Sequence, residues 1–390
     1  MSEVVNIPQL RFPEFNGGWK ESRIGKIYKD LRTGSTPSRA VKSYFKGDNP
    51  WITSGELKYN RISTTFEQIS DEAIKDTNLV LYQPGTLFIA ITGLEAPGTR
   101  GKCAINAVPS TTNQSCLAFR KVDSVDTIYM FYWYLKYGKP LYFKYAQGTK
   151  QQSFNNKIVE KFQIFLPNKP EQQKIAAFLS AVDNKIEQLS KKQELLGEYK
   201  KGSMQQIFSQ AIRFKADDGS EFPDWEEKKL RDVAKITTGS SNREDSGLDG
   251  QYTFFDRSED IRTSDRYLFD GKAVIVAGEG SRFPPKYFEG KFDLHQRTYA
   301  IMEFVEANSK YIFYFVDKQK NYLLRYAVGS TVKSLRLPIF QKMPVSLPSL
   351  PEQTKIANFL SSIDNKIEQV GGQLDKSKQF KKALLQQMFV

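Results

Sequence analysis

Side chains capable of catalysis are scarce in this chain of 390 residues. His295 is the single histidine, and Cys103 and Cys116 are the two cysteines. A zinc site made of histidines or of four cysteines cannot be assembled from this set, and neither can a Ser-His-Asp triad in both halves of the chain. We therefore expect no metal site and two ordinary reduced thiols.

Three short segments come closest to a catalytic motif, and each departs from it. Residues 93–98 have the glycine spacing of a phosphate-binding loop, but Thr99 and Arg100 follow where the motif requires lysine and then serine or threonine. Residues 283–287 (FPPKY) approach an adenine methyltransferase motif but lack its polar first residue and carry an inserted lysine. Residues 224–228 (DWEEK) are too tightly spaced for a nuclease cluster. The sequence predicts no catalytic residue.

The composition indicates a folded protein with an anionic partner. Lys and Arg total 57 against 44 Asp and Glu, which gives a net charge of +13, and hydrophobic residues make up 39% of the chain. This apolar content is too high for a disordered chain. The positive charge favours nucleic acid, the commonest anionic partner. Because no signal-peptide pattern and no long apolar run are present, we expect a cytoplasmic location and no membrane contact.

A tandem repeat dominates the chain. Residues 166–188 (LPNKPEQQKIAAFLSAVDNKIEQ) align without a gap to residues 347–369 (LPSLPEQTKIANFLSSIDNKIEQ), at an offset of 181. The register continues weakly to residues 205–208 and 386–389. Shorter matches precede each tail, and the residues between them differ almost completely. Each repeat is therefore a variable body followed by a near-identical tail, which indicates that the tails do the same job twice and the bodies do related but different jobs.

Each tail is predicted to be one long helix. Pro170 and Pro351 suit a first helical turn, and the apolar spacing that follows alternates between four and three residues, as in a coiled coil. A helix of about 38 residues would be about 57 Å long. We expect the two seams to pair with each other in an antiparallel manner, although packing of each tail on its own body alone is the alternative. The predicted seam residues are Ile175, Leu179, Val182, Ile186, Leu189, Leu196, Ile356, Leu360, Ile363, Ile367, Val370 and Leu374.

Three further features of the tails and bodies give predictions. Lys200 and Lys381 interrupt the seams at equivalent places, and we expect them to snorkel towards solvent. Glycines at 371 and 372 should weaken the second helix.

Residues 79–82, 86–91 and 273–277 are expected to be strands, the last preceded by a turn at 270–271. Residues 128–136 and 311–315, which are rich in aromatic side chains, are expected to begin helices and to form core rather than a base-stacking platform.

Polar loops in both bodies are the candidates for recognition. They lie at residues 32–39, 92–102 and 147–153 in the first body, and at 237–243, 278–282, 295–297 and 329–334 in the second. Several of these loops occupy matching positions, and their side chains suit hydrogen bonds to bases and phosphates. The predicted DNA-binding residues are Arg32, Ser38, Arg39, Gln114, Lys150, Gln151, Ser241, Arg243, Arg282, Gln296, Arg297 and Lys333.

The duplicated tail resembles the conserved region of the specificity subunits of type I restriction–modification enzymes. The shared pattern is L-P-x-x-x-E-Q-x-K-I-A-x-F-L-S-x-[IV]-D-x-K-I-E, and the opening LRFPEFNGGW and the elements TGSTPS, PWITSGEL and NQS resemble the same family. The resemblance covers essentially the whole chain. It implies an α+β (mixed α/β) fold with two globular target recognition domains and two long antiparallel coiled-coil helices in a pseudo-twofold tandem repeat. The implied boundaries are 1–165 and 211–346 for the recognition domains, and 166–210 and 347–390 for the helical spacers.

The resemblance also implies a function. Each recognition domain reads one half of a split target in double-stranded DNA, and the helices fix the unspecified spacer between the halves. Two modification subunits methylate adenine with S-adenosylmethionine, and two restriction subunits supply ATP-driven translocation and cleavage. The chain itself needs no cofactor or metal and is not an enzyme, so S-adenosylmethionine, ATP and Mg are expected only in the partner subunits, in the bacterial cytoplasm.

Two alternatives to this function stay open at this point. One is a divergent nuclease or methyltransferase that acts alone, which the missing motifs disfavour. The other is a stand-alone DNA-binding protein that associates through its coiled coil and has no methyltransferase partner. Binding that depends on salt equally for all DNA sequences would favour the latter.

Overall fold

The computed structural model describes residues 6–94, 98–149, 152–258 and 260–390. The chain divides into two compact units. Unit 1 is the described part of Met1–Gln188 together with Gln373–Val390, and unit 2 is the described part of Leu189–Gly372. The segments predicted at 1–165, 166–210, 211–346 and 347–390 follow the sequence repeat, whereas the compact units follow the contacts, so each unit holds one body and a segment of each long helix.

Unit 1 is a mixed α and β structure. Its strands are β1 Lys20–Arg23, β2 Arg32–Thr33, β3 Asn49–Ile52, β4 Arg61–Ile62, β5 Gln68–Ile69, β6 Leu87–Ala90, β7 Cys103–Asn106, β8 Thr111–Thr112, β9 Cys116–Phe119 and β10 Gln163–Leu166. Its helices are α1 Ile24–Ile27, α2 Asp71–Asp76, α3 Thr127–Tyr145, α4 Asn156–Glu160 and the first half of α5 Lys169–Phe208. The strands form sheets in the orders β2-β9-β6-β7-β4, β5-β3-β8 and β1-β10. Helix α3 packs beside β6 and β7 and closes the core.

Unit 2 repeats this plan with longer strands. They are β11 Glu226–Lys229, β12 Lys235–Thr238, β13 Tyr252–Phe255, β14 Arg262–Ser264, β15 Phe269–Ala277, β16 Glu279–Gly280, β17 Lys286–Leu294, β18 Thr298–Met302, β19 Lys333–Ser334 and β20 Pro344–Leu347. The helices are α6 Leu230–Val233, α7 Ser309–Lys318, α8 Lys320–Tyr326, α9 Leu337–Gln341 and the first part of α10 Leu350–Gln387. The sheet orders are β12-β18-β15-β17-β13-β14, β16-β19 and β11-β20.

The bodies confirm most of the local predictions and correct two. The aromatic runs begin helices α3 and α7, capped by Asp126 and Asn308, and their rings are buried in the core. Residues 79–82 were predicted as a strand, which is wrong: only Tyr82 forms an isolated bridge, to Ser110. The turn predicted at 270–271 is also wrong, since strand β15 runs through it. Gly271 faces Gly290 there, and both have positive φ, so the ladder continues past a local distortion.

The two long helices are continuous, and the second runs through its two glycines. All of the predicted seam positions are buried or half-buried. In unit 1, Ile175 and Leu179 lie in the core with Leu384 and Met388 from the end of α10. In unit 2, the core correspondingly contains Met204 and Ile207 from the end of α5 together with residues from the start of α10. The alternative that each tail packs only on its own body is therefore wrong, because the last turns of each tail are built into the core of the other repeat's unit.

A buried ion pair joins each body to the start of its long helix. In unit 1, Arg11 donates to both carboxylate oxygens of Glu171 at 2.7 and 2.8 Å, and Trp19 Nε1 donates to Glu171 at 3.2 Å. Unit 2 repeats this arrangement, and its residues are Arg213, Trp225 and Glu352. Both glutamates are fully buried. The arginine and tryptophan of each opening segment, together with the glutamate of the tail, therefore form one structural element.

Lys200 and Lys381 were predicted to snorkel towards solvent, and this is wrong. In unit 2, Lys200 Nζ donates to Asp364 at 2.6 Å and lies 5.2 Å from the ring centre of Tyr314, whose hydroxyl donates to the same carboxylate. Unit 1 repeats this group with Lys381, Asp183 and Tyr132, and its lysine and aspartate stand at the offset of 181 from those of unit 2. Each lysine thus neutralises an aspartate of the other long helix. Gln193 lies against Gly371 in the same unit, and Lys200, seven residues later, pairs with Asp364, seven residues earlier, so the two helix segments in unit 2 run antiparallel.

The glycine pair in α10 gives a matched test of helix stability. A Cβ at Gly372 would meet nothing within 4 Å, whereas a Cβ at Gly371 would lie 2.8 Å from Gln193 Nε2. We expect Gly372→Ala to stabilise the protein by about 0.5–1 kcal/mol, because alanine loses less backbone entropy in a helix. Gly371→Ala should gain less, because the side chain of Gln193 must move. Urea denaturation of both variants measures the difference, and equal gains would contradict the close contact.

Candidate nucleic-acid interface

The same loop junction occurs in both bodies at the motif T-G-S. In unit 1, Gly34 N donates to Asn113 O at 3.1 Å, and a Cβ on Gly34 would lie 1.5 Å from Thr112 O. In unit 2, a Cβ on Gly239 would lie 1.6 Å from Leu294 O. Glycine is therefore required at both positions, since any side chain would displace the backbone of the neighbouring turn. This junction brings residues 34–39 against residues 113–115, and residues 239–243 against 295–297.

A further loop reaches the same strand end in each body. In unit 1, Ile91 N donates to Ser115 O, and Phe154 N donates to Ile91 O at 2.7 Å. In unit 2, Gly278 takes the corresponding position. Its N donates to Arg297 O, and its O accepts a hydrogen bond from Leu335 N at 2.7 Å. These hydrogen bonds bring together loops that are far apart in the sequence. Three of the predicted polar loops therefore meet in each body around one edge of the main sheet.

Arg39 is the most firmly held candidate in unit 1. Its guanidinium lies 4.2 Å from the ring centre of Phe45 and 5.6 Å from that of Trp51, and it donates to both oxygens of Glu67. The hydrogen bond from Arg39 lowers the pKa of Glu67. The neighbouring Ser38 is exposed. A stacked, exposed guanidinium of this kind keeps its plane fixed and can present donors to a ligand.

The other candidates of unit 1 are more dispersed. Arg32 is exposed on β2 and forms a short ion pair with Asp30, which also contacts Arg120 at 3.0 Å. Gln114 is exposed and accepts a hydrogen bond from Thr36 at 2.6 Å, so the loop junction fixes its side chain. Lys150 and Gln151 lie outside the described residues.

Three candidates of unit 2 meet at one cleft. Arg243, Gln296 and Arg297 line a cavity of about 220 Å³. The other residues that line it are Asp256, Arg257, Glu279 and His295. Arg297 extends into an adjoining cavity of about 250 Å³, which is bordered by strands β16 and β19. The structure therefore places residues from four segments of the sequence around one continuous polar surface.

Charges of both signs alternate around this cleft. Glu279 lies between two arginines, at 2.7 Å from Arg297 and 3.5 Å from Arg257. Burial acts to raise the pKa of Asp256, but hydrogen bonds from Ser258 and the charge of Arg243 outweigh it and lower that pKa. The paired carboxylates hold the guanidinium groups in place, and the exposed arginines keep donors for a ligand.

His295 lines the same cleft. Burial is the largest cause that lowers its pKa, and the positive charges of two nearby arginines act in the same direction. Its Nδ1 accepts a hydrogen bond from Arg297 N at 3.0 Å, which leaves the proton on Nε2. The imidazole therefore stabilises the turn at residues 295–297.

The remaining candidates of unit 2 differ in their exposure. Ser241 is fully buried, and its hydroxyl donates to Asp293 at 2.6 Å, so it is placed to organise the loop rather than to touch a ligand. Arg282 is exposed. Lys333 is half-buried on β19, opposite Gly280. Direct contact of these residues with DNA stays a prediction.

Sequence reasoning missed three charged residues of this cleft, namely Asp256, Arg257 and Glu279. Glu279 lies in the predicted loop at 278–282, but arginine and glutamine side chains were considered better candidates for contacts with bases. Asp256 and Arg257 directly follow strand β13, and the end of that strand is fixed by His295 N, which donates to Phe255 O at 2.9 Å. A search for charges at strand ends beside the matched loops would have found them.

The described ranges were compared with two other kinds of site, a metal centre and a membrane-spanning helix. Within them, no group of three or more His, Cys, Asp or Glu side chains is arranged to hold a metal ion. No helix in that part of the chain is both long and apolar enough to cross a membrane. Both cysteines are buried, which raises the pKa of each thiol.

The two repeats match one protein-family model twice. Residues 16–196 and 223–376 each match the type I restriction modification DNA specificity domain. The chain belongs to this specificity-domain family. Each family match spans one body and the first part of the helix that follows it, so the duplicated unit recognised in the sequence is the family's unit.

Relatives of this specificity protein include subunits from archaea and bacteria. The MjaVIII specificity subunit of Methanocaldococcus jannaschii is 26% identical over 393 residues, which cover 92% of this chain and 88% of that protein. The MjaIX specificity subunit of the same organism is 31% identical over 57% of this chain and 56% of its own length. For the EcoDI specificity subunit of Escherichia coli, the match is 31% identical over 42% of this chain and 37% of that protein. The chain thus matches about half or less of the length of the latter two relatives.

Solved structures share the fold of this specificity protein. The S subunit of a type I restriction–modification system from M. genitalium superposes with a TM-score of 0.66 at 16% identity, covering 98% of this chain and 99% of that one. A chain from a study of complex assembly and conformational transition in the type I system gives a TM-score of 0.53 at 14% identity, over 97% and 98% of the two chains. These similarities support the predicted mixed α and β fold with two domains and two long helices.

Proposed function

We propose that this chain is the specificity subunit of a type I restriction–modification complex, and that each body reads one half of a bipartite DNA target. The observation that carries the proposal is the matched pair of loop junctions at Gly34 and Gly239. The backbone framework is the same in both bodies, while the side chains that it presents are unlike. Two equal frameworks with different polar surfaces are what two different half-sites require.

The side chains of the second cleft suit base recognition. Arginine, glutamine and carboxylate groups are the ones that distinguish base edges in the major groove. Arg297 and Arg243 offer donors, Gln296 offers both a donor and an acceptor, and Glu279 offers an acceptor. The net charge of +13 supplies affinity for phosphates that does not depend on sequence.

The same proposal assigns the chemistry to partner subunits. The described residues present side chains for binding, and we expect two modification subunits and two restriction subunits to supply the catalysis. S-adenosylmethionine, ATP and Mg would then be bound by those partners, and this chain would act as a scaffold without an active site. A structural neighbour concerned with assembly of the type I system supports the existence of such partners.

Binding measurements on the complex with its modification subunits separate this proposal from the stand-alone alternative. We expect the complex to discriminate between its target and a scrambled duplex, with both affinities falling as salt rises. Gln114→Ala should weaken discrimination only for the first half-site, and the equivalent Gln296→Ala only for the second. Equal affinity for all duplexes at every salt concentration would favour the alternative. Cofactor-dependent cleavage or methylation by the isolated chain would favour the enzyme.

A further inference from the structure

A fully buried carboxylate lies behind the reading surface of unit 2. Asp293 Oδ1 accepts hydrogen bonds from Ser241 Oγ at 2.6 Å and from Leu294 N at 2.8 Å, and its Oδ2 accepts from Ser264 Oγ at 2.8 Å. These partners belong to the T-G-S loop, to the last residues of β17 and to β14. One carboxylate therefore ties together the predicted loop at 237–243, the strand that leads into the predicted loop at 295–297, and strand β14.

Arg266 extends from this carboxylate to the surface. Its Nη2 donates to Ser241 Oγ at 2.9 Å and lies 3.3 Å from Asp245 Oδ2, while its Nε lies 3.7 Å from Asp293 Oδ2. Its side chain is nevertheless 55% exposed. An exposed arginine ordinarily samples many rotamers, and ordering it on binding costs free energy. Here three side chains fix the guanidinium before any ligand arrives.

The charges around Arg266 favour a base rather than a phosphate as its ligand. Asp245 and Asp293 both approach the guanidinium and offset its positive charge, which weakens its attraction for the DNA backbone. What remains is a rigid, planar donor group in a fixed orientation. Such a group suits hydrogen bonding to a base edge, which depends on direction more than on charge.

The carboxylate has no counterpart in unit 1. Strand β13 pairs with β17 so that Phe254 faces Asp293, and the corresponding strands of unit 1 place Trp51 opposite Thr111. The hydroxyl of Thr111 donates to Pro50 O at 3.1 Å and holds no arginine there. This contact between Asp293 and Arg266 therefore belongs to the second body, and its effect on recognition should be confined to the second half-site.

We propose that Arg266 is a base-contacting residue of the second recognition body, and that Asp293, acting with Ser241, is the positioning residue that fixes it. The inference rests on the proposed function and adds to it a specificity-determining residue. Neither Arg266 nor Asp293 was chosen from the sequence, because neither lies in one of the loops selected as recognition candidates.

The test measures methylation by the assembled complex on duplexes in which each base of either half-site is varied in turn. We expect Arg266→Gln to reduce discrimination about tenfold at one position of the second half-site and to leave the first unchanged. Asp293→Asn should relax the same position. Arg231→Gln, at another exposed arginine of unit 2, should change nothing. Unchanged discrimination in Arg266→Gln would overturn the inference, and so would a uniform loss of activity across all sequences, which marks a phosphate contact.

A double variant tests whether Asp293 acts through Arg266. If it does, adding Asp293→Asn to Arg266→Gln should cause no further relaxation at that position, whereas independent roles would give additive losses and contradict the inference. Ser264→Ala, which removes one hydrogen bond and keeps the charge, covers the case in which Asp293→Asn fails to fold. Ser264→Ala should reduce discrimination at the same base position more weakly than Asp293→Asn does. Unchanged discrimination would count against the positioning role of Asp293. A wild-type complex without preference at either half-site would instead contradict the proposed function itself.

Discussion

Replacing Arg213 by alanine is expected to destabilise unit 2 by about 3–5 kcal/mol. The substitution leaves the carboxylate of Glu352 fully buried with only Trp225 as a side-chain donor. An unpaired charge away from water is far more costly than the ion pair is stabilising. Hydrogen exchange, read separately for peptides of each unit, measures the loss, and the amides of unit 2 should lose protection.

The repeat supplies the control for this experiment. Arg11→Ala should have the corresponding effect on unit 1, because Arg11 holds Glu171 in the same way. Arg231→Ala removes an exposed arginine of unit 2 and should cost less than about 0.5 kcal/mol. A loss below about 1 kcal/mol for Arg213→Ala would show that the buried pair does not join body and helix as the structure indicates.

Alanine at Gly34 or Gly239 is expected to disable one half-site at a time. The new Cβ would lie 1.5–1.6 Å from a backbone oxygen of the adjoining turn, so the backbone must move. We expect a cost of more than about 3 kcal/mol locally. The displaced turns carry Gln114 in unit 1 and Gln296 with Arg297 in unit 2. Gly34→Ala should therefore abolish recognition of the first half-site, and Gly239→Ala that of the second.

Two other glycines serve as controls that show whether crowding of the new Cβ causes the loss of half-site recognition. A Cβ at Gly55 would have its nearest neighbour at 3.7 Å, and one at Gly247 at 4.0 Å, and neither glycine has a positive φ. Alanine at these positions should leave methylation of both half-sites unchanged. If Gly34→Ala impaired both half-sites equally, the assignment of one body to each half-site would be contradicted.

The long helices and the core could be predicted because their physical cause is local and periodic. The spacing from Ile175 to Leu196 identifies a buried stripe without knowledge of its partner. The aromatic run after Asp126 could likewise be assigned to a helix and to the core. Antiparallel pairing of the tails was expected, but the sequence left open whether each tail packs only on its own body, because the segments around Phe208 and Phe389 are similar and no local signal shows which core each one enters.

The residues that line the cleft of unit 2 were predicted in part. Loops rich in small polar residues indicated where Gln296 and Arg297 would lie, and the matched positions paired them with Gln114. The carboxylates that hold the arginines escaped notice, because Glu279 contacts Arg297 and Asp293 contacts Arg266 only through approaches between distant segments. Lys200 and Lys381 were misjudged for the same reason, since their aspartate partners lie on the other helix.

Sequencing of adenine methylation in cells that carry this chain together with its modification subunit tests the central claim most directly. The account predicts one methylated motif made of two specified halves and an unspecified spacer. It further predicts that Gly239→Ala alters only one half and Gly34→Ala only the other. A single continuous motif, or a motif that persists when this chain is removed, would contradict the account.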